Sequence, residues 1–322
     1  MSDSWQMDEY LEKAQQGDAA AQRILGDFYY FGRGTEQDFE TAVAWYEKAA
    51  LAGNAQAQCN LGACAFKGTG MARDQRKAVE WFTKAAAQGS MDAQFNLGVC
   101  CLNGSGIAED PHAAVEWFRQ SAAQGYAPAQ CKLGDCFFNG LGIEQNPAEA
   151  VACYRLAAKQ EDEEAQCNLG ICLYNGIGTE QNFTEAAHWY ERSARQGYAF
   201  AQCLLGFCYE VGRGVKQNYA EAAKWYRHAA EQGDPTAQNS LGDCLRRGLG
   251  VMQDKTAAFV WYQAAAMQGE ADAQCNLGIC FEAGEGVEKD ARQALAWFER
   301  AAAQGHEKAS MRAATLRVRL GE

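Results

Sequence analysis

The sequence predicts an all-α protein, an α/α solenoid of tandem 36-residue helix-turn-helix repeats, on three observations. The pair Ala-Gln recurs at 21, 57, 93, 129, 165, 201, 237 and 273, followed by Ala309-Ser310, each 36 residues on without an insertion. The columns within each interval read as two helices separated by a glycine-marked loop. Four prolines and no low-complexity tract leave no natural place to cut 322 residues into unrelated globules. Identical stacked modules account for such regularity, so the chain is expected to be one solenoid. It comprises eight repeats over 19–306, an N-terminal capping helix in 1–18 and a C-terminal capping helix in 307–322.

In the second repeat the first helix is expected from about Gln56 to Lys67, where Gly68 stops it by turning left-handed. After a short loop an Asp or Asn stands in every repeat: Asp38, Asp74, Asp110, Asn146, Asn182, Asn218, Asp254 and Asp290. Their side-chain oxygens can accept orphan backbone N–H groups, which marks them as helix N-caps. Pro111 and Pro147 follow by one residue, where a missing N–H costs nothing. Glu149, Glu185 and Glu221 lie three after their caps and predict capping boxes. The second helix should end near Gln88 and Gly89.

The faces repeat as well. Ala occupies 42, 78, 114, 150, 186, 222, 258 and 294, and Trp stands at 45, 81, 117, 189, 225, 261 and 297, each followed by Tyr or Phe. Small residues beside aromatics let neighbouring helices interlock. In the first helix Leu25, Leu61, Leu97 and their successors are each followed by Gly. A mid-helix Gly costs about 0.8–1 kcal/mol relative to Ala. Close approach of the partner helix backbone is the expected reason.

The string "AQxxLGxxxxxGxG", the Asp/Asn cap, "AxxWY/F" and the "AAxxG" close resemble the Sel-one-like repeat (SLR) family, relatives of the tetratricopeptide repeats. The resemblance covers nearly the whole chain. It implies antiparallel helix pairs in a right-handed superhelix, with first helices lining a concave groove. It also implies that "DEYLEKAQQGD" (8–18) and "KASMRAATLRVRL" (308–320) cap the stack.

The formal charge of −12 argues against a nucleic-acid surface and suits basic peptides or basic protein patches. "MSDSWQMDEY" lacks the features of a secretory signal, and no apolar run reaches the ~18 residues of a membrane helix. A cytoplasmic monomer is therefore expected, with its fourteen cysteines as thiols.

Those cysteines form two columns, an earlier one at 59, 131, 167, 203 and 275 and a later one at 64, 100, 136, 172, 208, 244 and 280, leaving Cys101 and Cys153. Five residues along a helix mean about 7.5 Å of rise and about 140° of rotation, which excludes a disulfide within one helix. A cysteine-rich Helicobacter branch of the family bridges the two helices of a unit, a pattern not reproduced when both columns sit on the first helix. The later column reads as small core packing. By analogy with the tetratricopeptide repeats, the earlier column faces the groove. Zinc would need Cys-x-x-Cys or i, i+4 ligands, which are lacking, and His112, His188, His228 and His306 are scattered, so no metal or cofactor is expected. Pairs such as Gly68-x-Gly70 follow a helix rather than a strand and lack a third Gly, which makes them turns and not phosphate loops.

Some SLR proteins have been described as binding or hydrolysing β-lactams, a chemistry that requires Ser-x-x-Lys and Lys-Thr-Gly motifs. Neither occurs, nor does a Ser/His/acid arrangement, so the chain is not expected to be an enzyme. The opposing reading is a β-lactam-active or thiol-dependent enzyme.

Variable positions carry the expected function. Two residues past the Leu come Asp27, Ala63, Val99, Asp135, Ile171, Phe207, Asp243 and Ile279. Three further on are Tyr30, Phe66, Leu102, Phe138, Tyr174, Glu210, Arg246 and Glu282, and then Phe31, Lys67, Asn103, Asn139, Asn175, Val211, Arg247 and Ala283. Aromatic anchors beside Asn donors suit a peptide held by its backbone. The expected protein-binding residues are Tyr30, Phe66, Phe95, Lys132, Asp135, Phe138, Tyr174, Phe207, Asp243, Arg246 and Arg247. The protein is thus expected to be a scaffold or adaptor that takes a protein or peptide ligand in its concave groove. One repeat departs from the pattern: Cys153 replaces Trp, and Glu161 replaces the terminating Gly. Losing both an indole and a helix stop predicts a weak joint there.

Overall fold

The computed structural model describes residues 2–321. Among them are eighteen helices and no strand. The helices are α1 (Ser2–Gln15), α2 (Ala19–Phe31), α3 (Phe39–Leu51), α4 (Ala55–Lys67), α5 (Gln75–Ala87), α6 (Met91–Asn103), α7 (Pro111–Ala123), α8 (Ala127–Asn139) and α9 (Pro147–Ala158), then α10 (Glu163–Asn175), α11 (Phe183–Arg195), α12 (Ala199–Val211), α13 (Tyr219–Glu231), α14 (Pro235–Arg247), α15 (Lys255–Met267), α16 (Ala271–Ala283), α17 (Ala291–Ala303) and α18 (Glu307–Leu320). They form two compact units, Met1–Gln160 and Glu161–Glu322. Inside each unit every helix packs against the next, and the two helices of one repeat make the densest pairs.

The second-helix caps are formed as expected. Asp38 accepts from the Thr41 N–H at 3.0 Å, Asp74 from Lys77 at 3.0 Å, and Pro111 and Pro147 open their helices. The cap's own N–H, however, donates back to the first helix: Asn146 to the Phe137 carbonyl at 2.8 Å, Asn182 to Leu173 at 2.8 Å and Asn218 to Tyr209 at 2.9 Å. That donor is therefore engaged, and the reciprocal half of the capping boxes expected at Glu149, Glu185 and Glu221 is superseded. Glu185 accepts from the Trp189 indole at 3.3 Å instead. The backbone bond joins the loop to the helix before it and sets the angle of each helix pair.

The mid-helix glycines are explained by an aromatic ring more than by backbone. A Cβ on Gly62 would stand 2.7 Å from the ring of Phe82, with the Ala78 carbonyl next at 3.2 Å. Rings at 46, 82, 118, 154, 190, 226, 262 and 298 are buried and follow the tryptophan column. Each seats against the glycine of its own repeat, in a groove that any side chain would fill.

A second device is a ladder of buried glutamines. In Ala57-Gln58 the Gln58 amide donates to the Ala50 carbonyl at 3.0 Å and accepts from Gln88 at 2.8 Å. Gln202 with Gln232 and Gln238 with Gln268 repeat the arrangement at 2.8 and 2.9 Å. In the first repeat Ala52 replaces the outer glutamine, and the Oε1 of Gln22 is buried without a hydrogen-bond partner.

The helix stop at Glu161 is retained. Its φ of 66° is the left-handed value, the one non-glycine residue among those described to adopt it. The expectation of a lost stop fails because a Cβ has room there: at the equivalent Gly53 and Gly89 an added Cβ would meet nothing within 4 Å. The cost falls on the backbone, about 1–2 kcal/mol for a residue with a Cβ. The Glu161 carboxylate meets Arg192 and accepts from Gln166 at 3.1 Å. Cys153, in the tryptophan's place, is half-buried against Val115, Phe118 and Trp117.

Candidate functional site

The face presented by the first helices carries the variable residues. Between the first and second repeats Asp27, Tyr30, Phe31, Tyr46, Asn60 and Ala63 line a recess of about 150 Å³. Tyr30 lies edge-on to Phe31 and Phe39, with ring centroids 5.0 and 5.2 Å apart, while Phe31 is 55% exposed. Tyr174 is similarly placed, edge-on to Phe183 at 4.9 Å and 6.4 Å from Phe207, and its hydroxyl accepts from Arg213 at 3.0 Å. Phe207 and Val211, one turn apart on α12, are each 41% exposed.

Other residues expected in the groove have partners inside the scaffold. The buried Tyr46 hydroxyl donates to Asp27 at 2.7 Å, and Asn60 adds a bond to the same oxygen at 3.2 Å. Tyr154 donates to Asp135 at 2.9 Å and Tyr262 to Asp243 at 2.6 Å. Burial first, then these carboxylates, push the pKa of Tyr46 and Tyr262 far up, so both remain donors. Where the second helix carries Phe82, Phe118 or Phe298, the corresponding first-helix residue is apolar: Ala63, Val99 or Ile279. An acid stands 19 residues before Tyr46, Tyr154 and Tyr262, whereas Ile171 and Phe207 precede Tyr190 and Tyr226, and Tyr226 donates to Glu210 at 2.6 Å instead. The Asp–Tyr spacing of 19 in three repeats is a signal in the sequence that variability of the groove does not explain.

Lys132 pairs with Asp135 at 3.0 Å, and Arg246 contacts Asp243 at 3.3 Å and the Tyr262 hydroxyl at 3.1 Å. Arg247 is exposed beside it. Phe66 and Phe138 are half-buried. Phe66 packs onto the core that holds Phe82 and Leu97. Phe95 stands in the earlier cysteine column and packs on Phe118 and Tyr126, with centroids 5.9 and 5.5 Å apart.

That column does not face the groove. Cys59, Cys131, Cys167, Cys203 and Cys275 are buried, as are all seven of the later column. Cys59 lies in the interface with the following repeat, beside Ala93 and Leu97. Burial pushes its thiol up to about 12 and those of Cys64, Cys100, Cys172 and Cys208 up to about 11. The hydroxyls of Ser121 and Ser193 are likewise structural, donating to the Met91 and Glu163 carbonyls at 2.8 and 2.7 Å. No helix among the described residues is long and apolar enough to cross a membrane.

A glycine-ring lock and a capped loop in every unit, with a buried glutamine pair in every unit after the first, define a helix-pair repeat protein whose variable residues lie on the first-helix face. The Sel1 repeat pattern matches residues 19–54, 55–90, 92–126, 127–162, 163–198, 199–234, 235–270 and 271–306, and the chain belongs to that family. Among solved structures, a Sel1 repeat protein from Oxalobacter formigenes is 33% identical, with 96% of this chain and 90% of that one covered and a TM-score of 0.67. The protein c5321, described as a protective antigen of uropathogenic Escherichia coli with an SLR fold, is 31% identical over 98% of this chain and 83% of its own, with a TM-score of 0.54. None of the curated proteins compared with the chain matches it.

Proposed function

We propose that this protein is a non-enzymatic scaffold or adaptor that binds a protein or peptide ligand along the first-helix faces of its repeats. The observation that carries the reading is the exposure of large apolar side chains there, Phe31, Phe207 and Val211, at positions where residue type changes between repeats. Apolar anchors among polar neighbours such as Lys67, Asn103 and Asn175 are the composition of a peptide-binding surface. The absence of catalytic motifs from the sequence supports a non-enzymatic role, as does the raised pKa of the buried thiols, which are protonated and inert at neutral pH. A reducing, cytoplasmic compartment suits fourteen cysteines that are all thiols.

The test is photo-cross-linking in the source cell, with a benzophenone amino acid placed singly at Lys67, Asn103 or Phe207 on the first-helix faces, and at Glu80, Glu116 or Lys224 on the second helices. Discrete adducts from the first set alone are expected. Equal labelling from both sets, or adducts from the second set only, places recognition elsewhere.

A further inference from the structure

Between α16, α17 and α18 lies a recess of about 490 Å³. Ile279 of α16 and Leu316 and Leu320 of α18 supply its apolar lining. Its rim is basic although the chain as a whole carries −12: Lys289, Arg312 and Arg319 surround a single carboxylate, Glu282. Arg312 holds Glu282 at 2.6 Å, whereas Arg319 reaches it only at 3.4 Å and is 65% exposed. Glu282 is therefore satisfied by its nearer partner, and Arg319 and Lys289 contribute positive charge beside an apolar floor.

We propose that this recess binds a segment of a partner protein in which an acidic side chain adjoins a leucine-sized aliphatic one. The inference rests on the reading of the first-helix faces as protein-binding and specifies the chemistry taken by one of them. The partner's carboxylate pairs with Arg319 and Lys289, and its aliphatic neighbour covers Ile279, Leu316 and Leu320. Charge complementarity selects the occupant. A basic segment would meet the excess positive charge of Arg319 and Lys289 and is repelled, while an uncharged apolar one forgoes that attraction. Arg319 offers two parallel N–H groups to a carboxylate and adds direction to the attraction.

The experiment is fluorescence anisotropy of the full chain with a fluorescein-labelled, C-terminally amidated peptide, Gly-Ser-Glu-Leu-Glu-Leu-Ser-Gly, against versions with Gln or Lys in place of Glu. The Glu peptide should bind at least tenfold more tightly than the Gln peptide and should weaken as salt is raised. Arg319→Glu should reduce its binding at least tenfold with thermal unfolding unchanged, because Arg319 is exposed. Absent binding of the Glu peptide, equal binding of the Glu and Gln peptides, or an unaffected Arg319→Glu variant overturns the assignment. Cross-linking at Lys67, Asn103 and Phe207 reports separately on the broader reading, so a failure of this recess alone is distinguishable.

Discussion

The first and eighth repeats use the same positions to opposite ends. In the first, the acid is Asp27, drawn in by the Tyr46 hydroxyl of its own repeat, and the recess is small and aromatic. In the eighth, Ile279 takes that position in front of Phe298, and an acid stands instead at Glu282, where it meets two arginines of α18. A charged residue on the first-helix face can thus belong to the scaffold or to the surface. For Asp27, Asp135 and Asp243 a Tyr 19 positions later marks the first kind, because a buried hydroxyl needs an acceptor.

The comparison is tested most strongly by what the two regions share. Cys64 beside the first recess and Cys280 on the first helix of the eighth repeat are both pushed up to about 11 by burial. Between the ordinary thiol pKa near ~8.5 and these folded values, the unfolded chain loses protons that the folded chain keeps. Stability is therefore full below about pH 8.5 and falls as pH rises, by up to about 1.4 kcal/mol per pH unit for each such thiol. Urea midpoints followed by circular dichroism should drop by several kcal/mol-equivalents in free energy between about pH 8 and 10.5. A flat profile would mean that the thiols are not buried in either region.

The next largest effect separates the two repeats. Asp27→Ala should cost about 2 kcal/mol by leaving the Tyr46 hydroxyl without its acceptor, and adding Tyr46→Phe should recover most of it. The mirror change, Ile279→Asp, should destabilise by a similar ~2 kcal/mol beside Phe298, and less once Phe298→Tyr supplies a donor. Denaturant titration of the four variants checks the cycle, and additive losses would break the pairing rule. Glu161→Gly should stabilise by about 1 kcal/mol, since relief of the left-handed backbone outweighs an exposed ion pair worth ~0–1 kcal/mol. Smaller still, Ala52→Gln should add about 0.5–1 kcal/mol by giving the Gln22 Oε1 the donor that other repeats provide.

The architecture was legible in the columns because a repeat imposes the same physics eight times, and a cap, a helix stop or an aromatic seat cannot vary without loss. The helix pairs, the Asp/Asn caps and the later cysteine column could be read from spacing alone. Contacts made through space between columns were harder to see. The Gln58–Gln88 pair and the Asp27–Tyr46 pair each join residues far apart in sequence, and the ring that excludes a Cβ at Gly62 comes from the other helix. Analogy puts the earlier cysteine column in the groove, but its residues are buried, and Cys59 faces the next repeat beside Ala93 and Leu97. Glu161 was misjudged for another reason: a missing glycine signals strain, yet open space around the Cβ allows the same turn.

The glutamine ladder has a consequence for how such a chain can change length. Gln58 and Gln88 lie within one 36-residue unit, and the only bond Gln58 sends outside goes to a backbone carbonyl, Ala50, which every unit offers whatever its side chains. This bond of the ladder therefore depends on no side chain of the neighbouring unit. The ladder itself tolerates a change of neighbour, while side-chain contacts such as Asn60 with Asp27 and Cys59 with Leu97 are what tie particular units together.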